Sequence, residues 1–472
     1  MLHRSASQCA ILVTFTAALA THQASAWHLV PCLGEQVSGT PDDGSGVTHA
    51  RRPSSTDADA VTFSVSELQG VGLGAHLPAA FDSLGARGLR VVRRTELHPG
   101  ALHLCLEHPG DASRHASLVL HDGRLTGAIY PGGSLRVVLT GDRAGFSRRS
   151  HENAAADLPC GHHDALRVGD GAVDLEPDGD GGVAGACDDG SRVDVFVLYT
   201  QAAVNQAGGL TQLQDWLLWA VADSNAIYAD SGIGLSMRLV GSALAQGYSE
   251  NASMSNDLYA LTDPADGILD EALPLRNSAR ADMVALVRAD GGGACGVAWL
   301  TGASAANEGY GYSVTALGCF TNRTFTHELG HNMGCCHAPG DGGGCLNGGV
   351  FPYSTGHRFF GTNGAEYRTV MAYAPGTRIP RFSSPLVSYQ GTPTGIADAR
   401  DNARTINTTR FAFTQYRCNP CEADVNGDGL RDGADLALVL TGWSSSAPDI
   451  NADGVVNGAD LAILLDVWGP CP

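Results

Sequence analysis

The residues best equipped for chemistry fall between positions 327 and 337. His327-Glu328-Leu329-Gly330-His331 places two imidazoles four residues apart. On a helix, residues four apart share a face, so both rings can meet one zinc ion. Glu328 sits beside that face and can act on a water as general base. Gly334 follows His331 by three residues, and His337 follows Gly334 by three. A glycine there lets the helix stop and the chain turn sharply, so that His337 closes the ligand set. Three neutral imidazoles leave a fourth position open, which is the arrangement of a catalytic site, not a structural one. After residue 163 the chain has four His, three of them in this motif. The fourth, His357, reads as a surface residue.

A second set of ligand-bearing residues is duplicated in the C-terminal stretch. Asp424 to Asp435 aligns with Asp449 to Asp460 as a pair of twelve-residue loops. Asp424, Asn426, Asp428, Asp432 and Asp435 occupy positions 1, 3, 5, 9 and 12 of the first. Asp449, Asn451, Asp453, Asn457 and Asp460 occupy the same positions of the second. Gly429 and Gly454 stand at position 6, where a calcium loop needs its sharp turn. Each loop runs into an apolar set at helical spacing: Leu436, Val439, Leu440 and Trp443, then Leu461, Leu464, Leu465 and Trp468. The pattern predicts two calcium ions.

These motifs carry two family resemblances. HELGHNMGCCH matches the zinc signature of the metzincin peptidases in full, and Thr369-Val-Met-Ala-Tyr373 looks like their Met-turn. The resemblance implies that Met371 packs beneath the zinc ligands and that Tyr373 stands near zinc, where it can donate to a developing oxyanion. The strand order and the run CGVAWL (295–300) look most like bacterial reprolysin-like secreted peptidases. The C-terminal repeat resembles a type I dockerin, which implies a protein-binding role, usually toward a cohesin-like module. The reaction implied is hydrolysis of peptide bonds. Zinc lowers the pKa of a bound water from about 16 toward 7. Glu328 takes the proton and returns it to the leaving amine. Leu329, Asn332 and Met333 read as packing residues.

Such a site must be carried by an α/β domain. Val193 to Tyr199, Leu235 to Val240 and Met283 to Val287 read as strands, and Val297 to Leu300 and Tyr310 to Val314 as shorter ones. Leu213, Trp216, Leu217, Ala220, Ser224 and Ile227 recur at the spacing of an amphipathic helix. Leu258 to Leu275 reads as a second helix, interrupted near Pro264. Helices are also expected over Thr324 to Gly334, with the zinc motif, and near Ala397 to Phe413. This order indicates a mostly parallel twisted sheet with an active-site helix. The expected organisation is a leader over 1–26, a propeptide-like region over 27–191, the catalytic domain over 192–417 and a small α-helical calcium-binding module over 418–472.

The leader reading rests on Arg4, the apolar run Ala10 to Ala20 and the small residues Ala24-Ser25-Ala26 before Trp27. It predicts a secreted protein in an oxidising compartment, where the twelve cysteines after Cys9 can pair fully. Cys335 and Cys336 are expected in disulfides, with Cys345 as a candidate partner. The propeptide-like region reads as β-rich, with strands at Leu89 to Val92, Leu102 to Leu106, Ser117 to Leu120 and Leu135 to Leu139. Eleven of the 17 His lie between His28 and His163, without a ligand pattern, and read as solvated. Gly161 to Ser191 has linker composition. Leu158-Pro-Cys-Gly161 resembles a cysteine switch, in which Cys160 would close the open zinc position; a disulfide of Cys160 with Cys105 is the other reading. Arg148-Arg149 is a candidate cut site.

All 29 basic residues are Arg, against 49 acidic ones, for a net charge of −20. That balance argues against nucleic acid or an anionic membrane as the main partner. No apolar run reaches the roughly 18 residues of a membrane span. Two functions from different classes fit: a secreted zinc endopeptidase, or a calcium-dependent binding or scaffold protein with an inactive metzincin domain. Glu328 favours the first.

Overall fold

The computed structural model describes residues 60–153 and 190–470, apart from 134, 290, 303, 342–347, 418–422, 426–429, 446–447 and 452–454. The leader, most of the linker and Cys160 lie outside the described residues.

The first part is an antiparallel sheet in the order β1-β7-β6-β5-β4-β3-β2. Its strands are β1 (Ala60–Thr62), β2 (Arg90–His98), β3 (Ala101–His108), β4 (Asp111–His121), β5 (Arg124–Tyr130), β6 (Leu135–Arg143) and β7 (Phe146–Asn153). Strand side chains alternate between faces. One set, including Leu104, Leu106, Leu118, Leu120 and Leu139, forms a core of its own with Phe81 and with Leu68 of the helix α1 (Val65–Gln69). The opposite set contributes Val119 and Val138 to the core of the second part. Arg148 and Arg149 lie within β7, paired to Thr140 and Leu139 of β6, with β1 on the other side. A paired inner strand is a poor protease substrate, which corrects the cut-site reading.

The second part has a five-stranded sheet in the order β11-β12-β10-β8-β9. These are β8 (Arg192–Tyr199), β9 (Ser236–Leu244), β10 (Met283–Arg288), β11 (Gly296–Ala298) and β12 (Tyr312–Ala316). All pairs are parallel except β11 with β12, so the edge strand runs against the rest. The near-continuous apolar runs of β8 and β10 suit a sheet covered on both faces. The helices are α2 (Gln201–Ala207), α3 (Leu210–Asp230), α4 (Met254–Thr262), α5 (Ala272–Ser278), α6 (Thr324–Asn332) and α7 (Asn402–Phe413). The segment read as one interrupted helix is thus two, α4 and α5. Helix α3 buries 13 of its 21 residues, Trp216 and Trp219 included. It is more than amphipathic: the first sheet covers the face that periodicity would leave to solvent.

The same covering corrects the reading of the histidines. His103 and His115 are buried, and His121 is half-buried against Asp215 of α3. Burial takes His103 to about 3. The disulfide reading also needs correction. Cys105 and Cys335 carry free thiols, so the twelve cysteines do not pair fully and Cys105 has no bond to Cys160. Cys295 joins Cys319, which ties the edge strand to the turn before α6.

The tail holds two short helices, α8 (Gly433–Thr441) and α9 (Gly458–Asp466), around Val439, Val456 and Leu464. Leu440, Trp443, Leu465 and Trp468 of the expected apolar sets are exposed. Among the described residues, no helix is long and apolar enough to cross a membrane.

Candidate metal centre

Helix α6 is anchored at both ends. Its first turn follows Arg323, whose backbone is left-handed at φ 62°. Thr326 shares a 2.7 Å hydroxyl–hydroxyl bond with Ser224 of α3. At the far end the Asn332 amide donates to the carbonyls of Trp299 and Tyr312, at 2.9 and 3.0 Å. Asn332 is therefore more than packing: it fastens the zinc-motif helix to the sheet edge. Gly334 at φ 93° ends the helix, with its N–H on the His331 carbonyl and the Cys335 N–H on Gly330. A Cβ at Gly334 would stand 2.5 Å from Val350. Only glycine fits both the conformation and the space, and the turn that results carries His337 back over α6.

The three imidazoles meet. Nε2 of His327 lies 3.2 Å from Nε2 of His331 and 3.1 Å from that of His337, and the third pair is 3.0 Å apart. All three are at most 3% exposed. His327 Nδ1 donates to the Val370 carbonyl and His331 Nδ1 to the Cys335 carbonyl, each at 2.8 Å. A carbonyl can only accept, so the proton sits on Nδ1 and the Nε2 lone pair is free in both rings. Burial, then the neighbouring His331 and His337, hold His327 well below the ordinary imidazole range; burial takes His331 to about 4. Unprotonated nitrogens aimed at one point repel each other unless a cation lies between them. Ligands about 2.0–2.1 Å from one zinc ion must lie within roughly 3.5 Å of each other. The donor set fits zinc.

Residues named for their family positions also gather here. Met371 is fully buried beneath α6: a Cβ at Gly330 would stand 2.9 Å from its sulfur and 3.2 Å from Phe382. The Tyr373 ring centroid is 4.3 Å from that of His337 and 6.1 Å from that of His327. Asp341 accepts from the Tyr373 N–H at 2.8 Å and pairs with Arg358, which fixes the turn after Met371. Glu328 is fully buried against the edge strand, where a Cβ at Gly296 would overlap its carboxyl at 2.4 Å. Any side chain at 296 would displace that carboxylate.

Other expectations end differently. Cys335 is buried as a free thiol against the Asn402 carbonyl, and burial pushes its pKa well above the usual thiol range. Only Cys336 of that pair is disulfide-bonded, and Cys345 lies outside the described residues. His357 is half-buried, stacked on Phe359, not a surface group. Gly296, Asn332 and Asp341 did not stand out in the sequence, because their roles depend on which strand or turn lies beside α6. Arg378 did not either. Its guanidinium donates to the carbonyls of Asn322, just before α6, and Ala372, just after Met371, at 2.8 and 3.2 Å. It is near enough to the site for its charge to lower the pKa of His327.

In the tail, Asp435 and Asp460 are buried at position 12 of their loops. Asp435 accepts from the N–H groups of Val425 and Asp432; Asp460 accepts from Ile450, Asn451 and Asn457. Asp432 and Asn457 cap α8 and α9. These carboxylates shape the loops from inside. Asn426, Asp428 and Asp453 lie outside the described residues.

Residues 189–383 match the family model Reprolysin_5, metallo-peptidase family M12. A peptidyl-Asp metalloendopeptidase of Stenotrophomonas maltophilia is 28% identical over 313 residues, covering 65% of this chain and 72% of that protein. The enzyme of the same name from a second strain is 31% identical over 233 residues, covering 48% and 53%. That of Xanthomonas campestris pv. campestris is 31% identical over 231 residues, covering 48% and 52%. The chain thus spans about half the length of the last two. It carries a metalloendopeptidase domain, and its His triad suits the zinc that such a domain uses.

Proposed function

We propose that this chain is a secreted zinc endopeptidase that uses Glu328 as general base and cleaves peptides at aspartate. The observation that carries the proposal is the convergence of three Nε2 atoms, with Glu328 next to His327 on the same helix. His327, His331 and His337 would hold the ion. Bound there, zinc supplies Lewis-acid polarisation of the scissile carbonyl and acidifies a water in its open position. Glu328 accepts a proton from the attacking water and hands it to the leaving amine. Its burial keeps competing water away from the carboxylate. Tyr373, whose ring lies beside that of His337, would donate to the carbonyl oxygen as negative charge grows on it. Casein hydrolysis should vanish in a zinc chelator and return with added zinc. Full activity in the chelator would refute the zinc mechanism.

The aspartate preference rests on the names of the relatives and on Arg378, a cation between the turn before α6 and the turn after Met371. The reading as a binding protein with an inactive domain is the weaker one, because His triad and Glu328 are intact together. Secretion rests on the leader-like sequence over 1–26, and latency through Cys160 on sequence alone.

The C-terminal repeat is proposed as a two-calcium module that docks on a cohesin-like protein. Its support is the duplicated ligand spacing, with the buried Asp435 and Asp460 each accepting backbone N–H groups of their own loop. Acidic oxygens crowded in one loop repel until a cation compensates them. In the full chain at fixed zinc, added calcium should slow amide exchange across 424–466 by at least tenfold, with no change in β8 or β10. Equal exchange with and without calcium would remove this module's metal.

A further inference from the structure

The first sheet meets the catalytic part through a surface built like a protein interior. Trp219 of α3, 1% exposed, fills a slot over Gly127. A Cβ at Gly127 would stand 2.9 Å from the indole nitrogen and 2.2 Å from the Ser117 carbonyl. That carbonyl accepts the indole N–H at 2.9 Å. The buried Asp215 carboxylate receives Arg124 at 2.7 and 3.0 Å and His121 at 2.7 Å. Arg93 of β2 and Arg381 both pair with Asp230, at the end of α3.

A second joint grips the start of α6. Tyr130 of β5 donates to the Thr321 carbonyl at 2.7 Å. The Arg323 guanidinium lies 4.6 Å over the Tyr130 ring. It donates to Nε2 of His115 at 2.9 Å, and His115 in turn stacks on Tyr130 at 4.3 Å. Asp223 of α3 faces Arg323 from the other side at 3.5 Å. The Arg323 carbonyl accepts the His327 N–H at 3.0 Å, the first such bond of the zinc-motif helix. The side chain held by the first sheet thus belongs to the residue that starts that helix.

A propeptide that is discarded leaves a surface that must then stand in water. Here that surface would include the Trp219 indole, the valine contacts of the shared core, and the charges of Asp215 and Arg323. Exposing a continuous apolar face of this kind is costly.

We propose that residues 60–153 are not discarded: after any cut within 154–189 the sheet stays bound as a second subunit, and through Tyr130 and His115 it positions Arg323 and the start of α6. The first half stands without the catalytic reading; the second half rests on it.

The experiment nicks the full-length protein within 154–189, at an inserted specific protease site, and then measures fragment association and activity. The two fragments should co-elute in native buffer and part only in denaturant. Separation in native buffer overturns retention, and this readout needs no activity. For the positioning role, Tyr130→Phe keeps the ring under Arg323 and removes one bond. It should lower kcat about threefold to tenfold with KM within twofold, and speed zinc loss to a chelator, since small displacements of catalytic groups are costly. Arg93→Ala loosens the joint at α3, where Asp230 keeps Arg381, and should leave kcat unchanged while weakening fragment association. Wild-type kcat and zinc retention in Tyr130→Phe, or equal kcat losses in both variants, overturn the positioning role.

Discussion

Glu328→Gln should lower kcat for casein or a peptide substrate by at least about a thousandfold, in the upper range for loss of a general base. The substitution keeps the shape of a fully buried side chain and removes its capacity to take a proton. The slot beside Gly296 accommodates an isostere, so the helix should remain in place. Zinc content should stay at the wild-type level, because the converging Nε2 atoms belong to His327, His331 and His337. His331→Ala gives the opposite pattern: zinc and activity should both be lost. KM should move little in Glu328→Gln, since the carboxylate acts on the water and not on substrate side chains. Zinc measured by atomic absorption, beside kcat and KM for both variants, separates the roles. Wild-type kcat in Glu328→Gln would end its assignment as base, and zinc loss in that variant would make it a ligand instead.

The parts of this site that were legible in the sequence are those whose geometry is local. Two His four apart on a helix, a glycine that stops it and a third His beyond the turn define their own arrangement within eleven residues. Met371 and Tyr373 could be named because a short motif carries them, although only the folded chain sets the Met371 sulfur beneath Gly330. Residues defined by a neighbour distant in sequence were not legible. Gly296 matters because the edge strand passes Glu328, 32 positions away. Asn332 reads as core filler until Trp299 and Tyr312 supply carbonyls for its amide. Helix α3 shows why periodicity misleads at a domain joint. One apolar stripe identified it as an amphipathic helix, but Trp219 lies off that stripe and is as buried as the residues on it. The same joint buries His103 and His115 of the covering sheet itself, which composition assigns to solvent. Cysteine counting failed at the half-buried Cys105 and the buried Cys335, because a thiol packed among its neighbours acts as a small apolar group and needs no partner.

Arg378→Leu should lower kcat/KM for cleavage at aspartate by about a hundredfold while changing a matched asparagine peptide less than threefold. Removing one partner of a desolvated charge pair costs about 2–5 kcal/mol, and each 1.4 kcal/mol is about tenfold. Arg378 has the placement such a reader needs. It is half-buried, which weakens competition from solvent, and its hydrogen bonds to Asn322 and Ala372 hold it between the turns that flank the triad. Its charge adds to the burial and to the neighbouring His331 and His337 that lower the pKa of His327. Arg378→Lys separates charge from shape. The ammonium keeps the attraction but loses the planar fork that can bind both carboxylate oxygens, so this variant should fall between wild type and leucine. Zinc content should be equal in all three proteins, which isolates recognition from metal binding. The ratio of kcat/KM for the aspartate and asparagine peptides is the deciding quantity. If Arg378→Leu leaves that ratio unchanged at equal zinc content, Arg378 does not read the substrate, and any acidic preference arises elsewhere on the cleft.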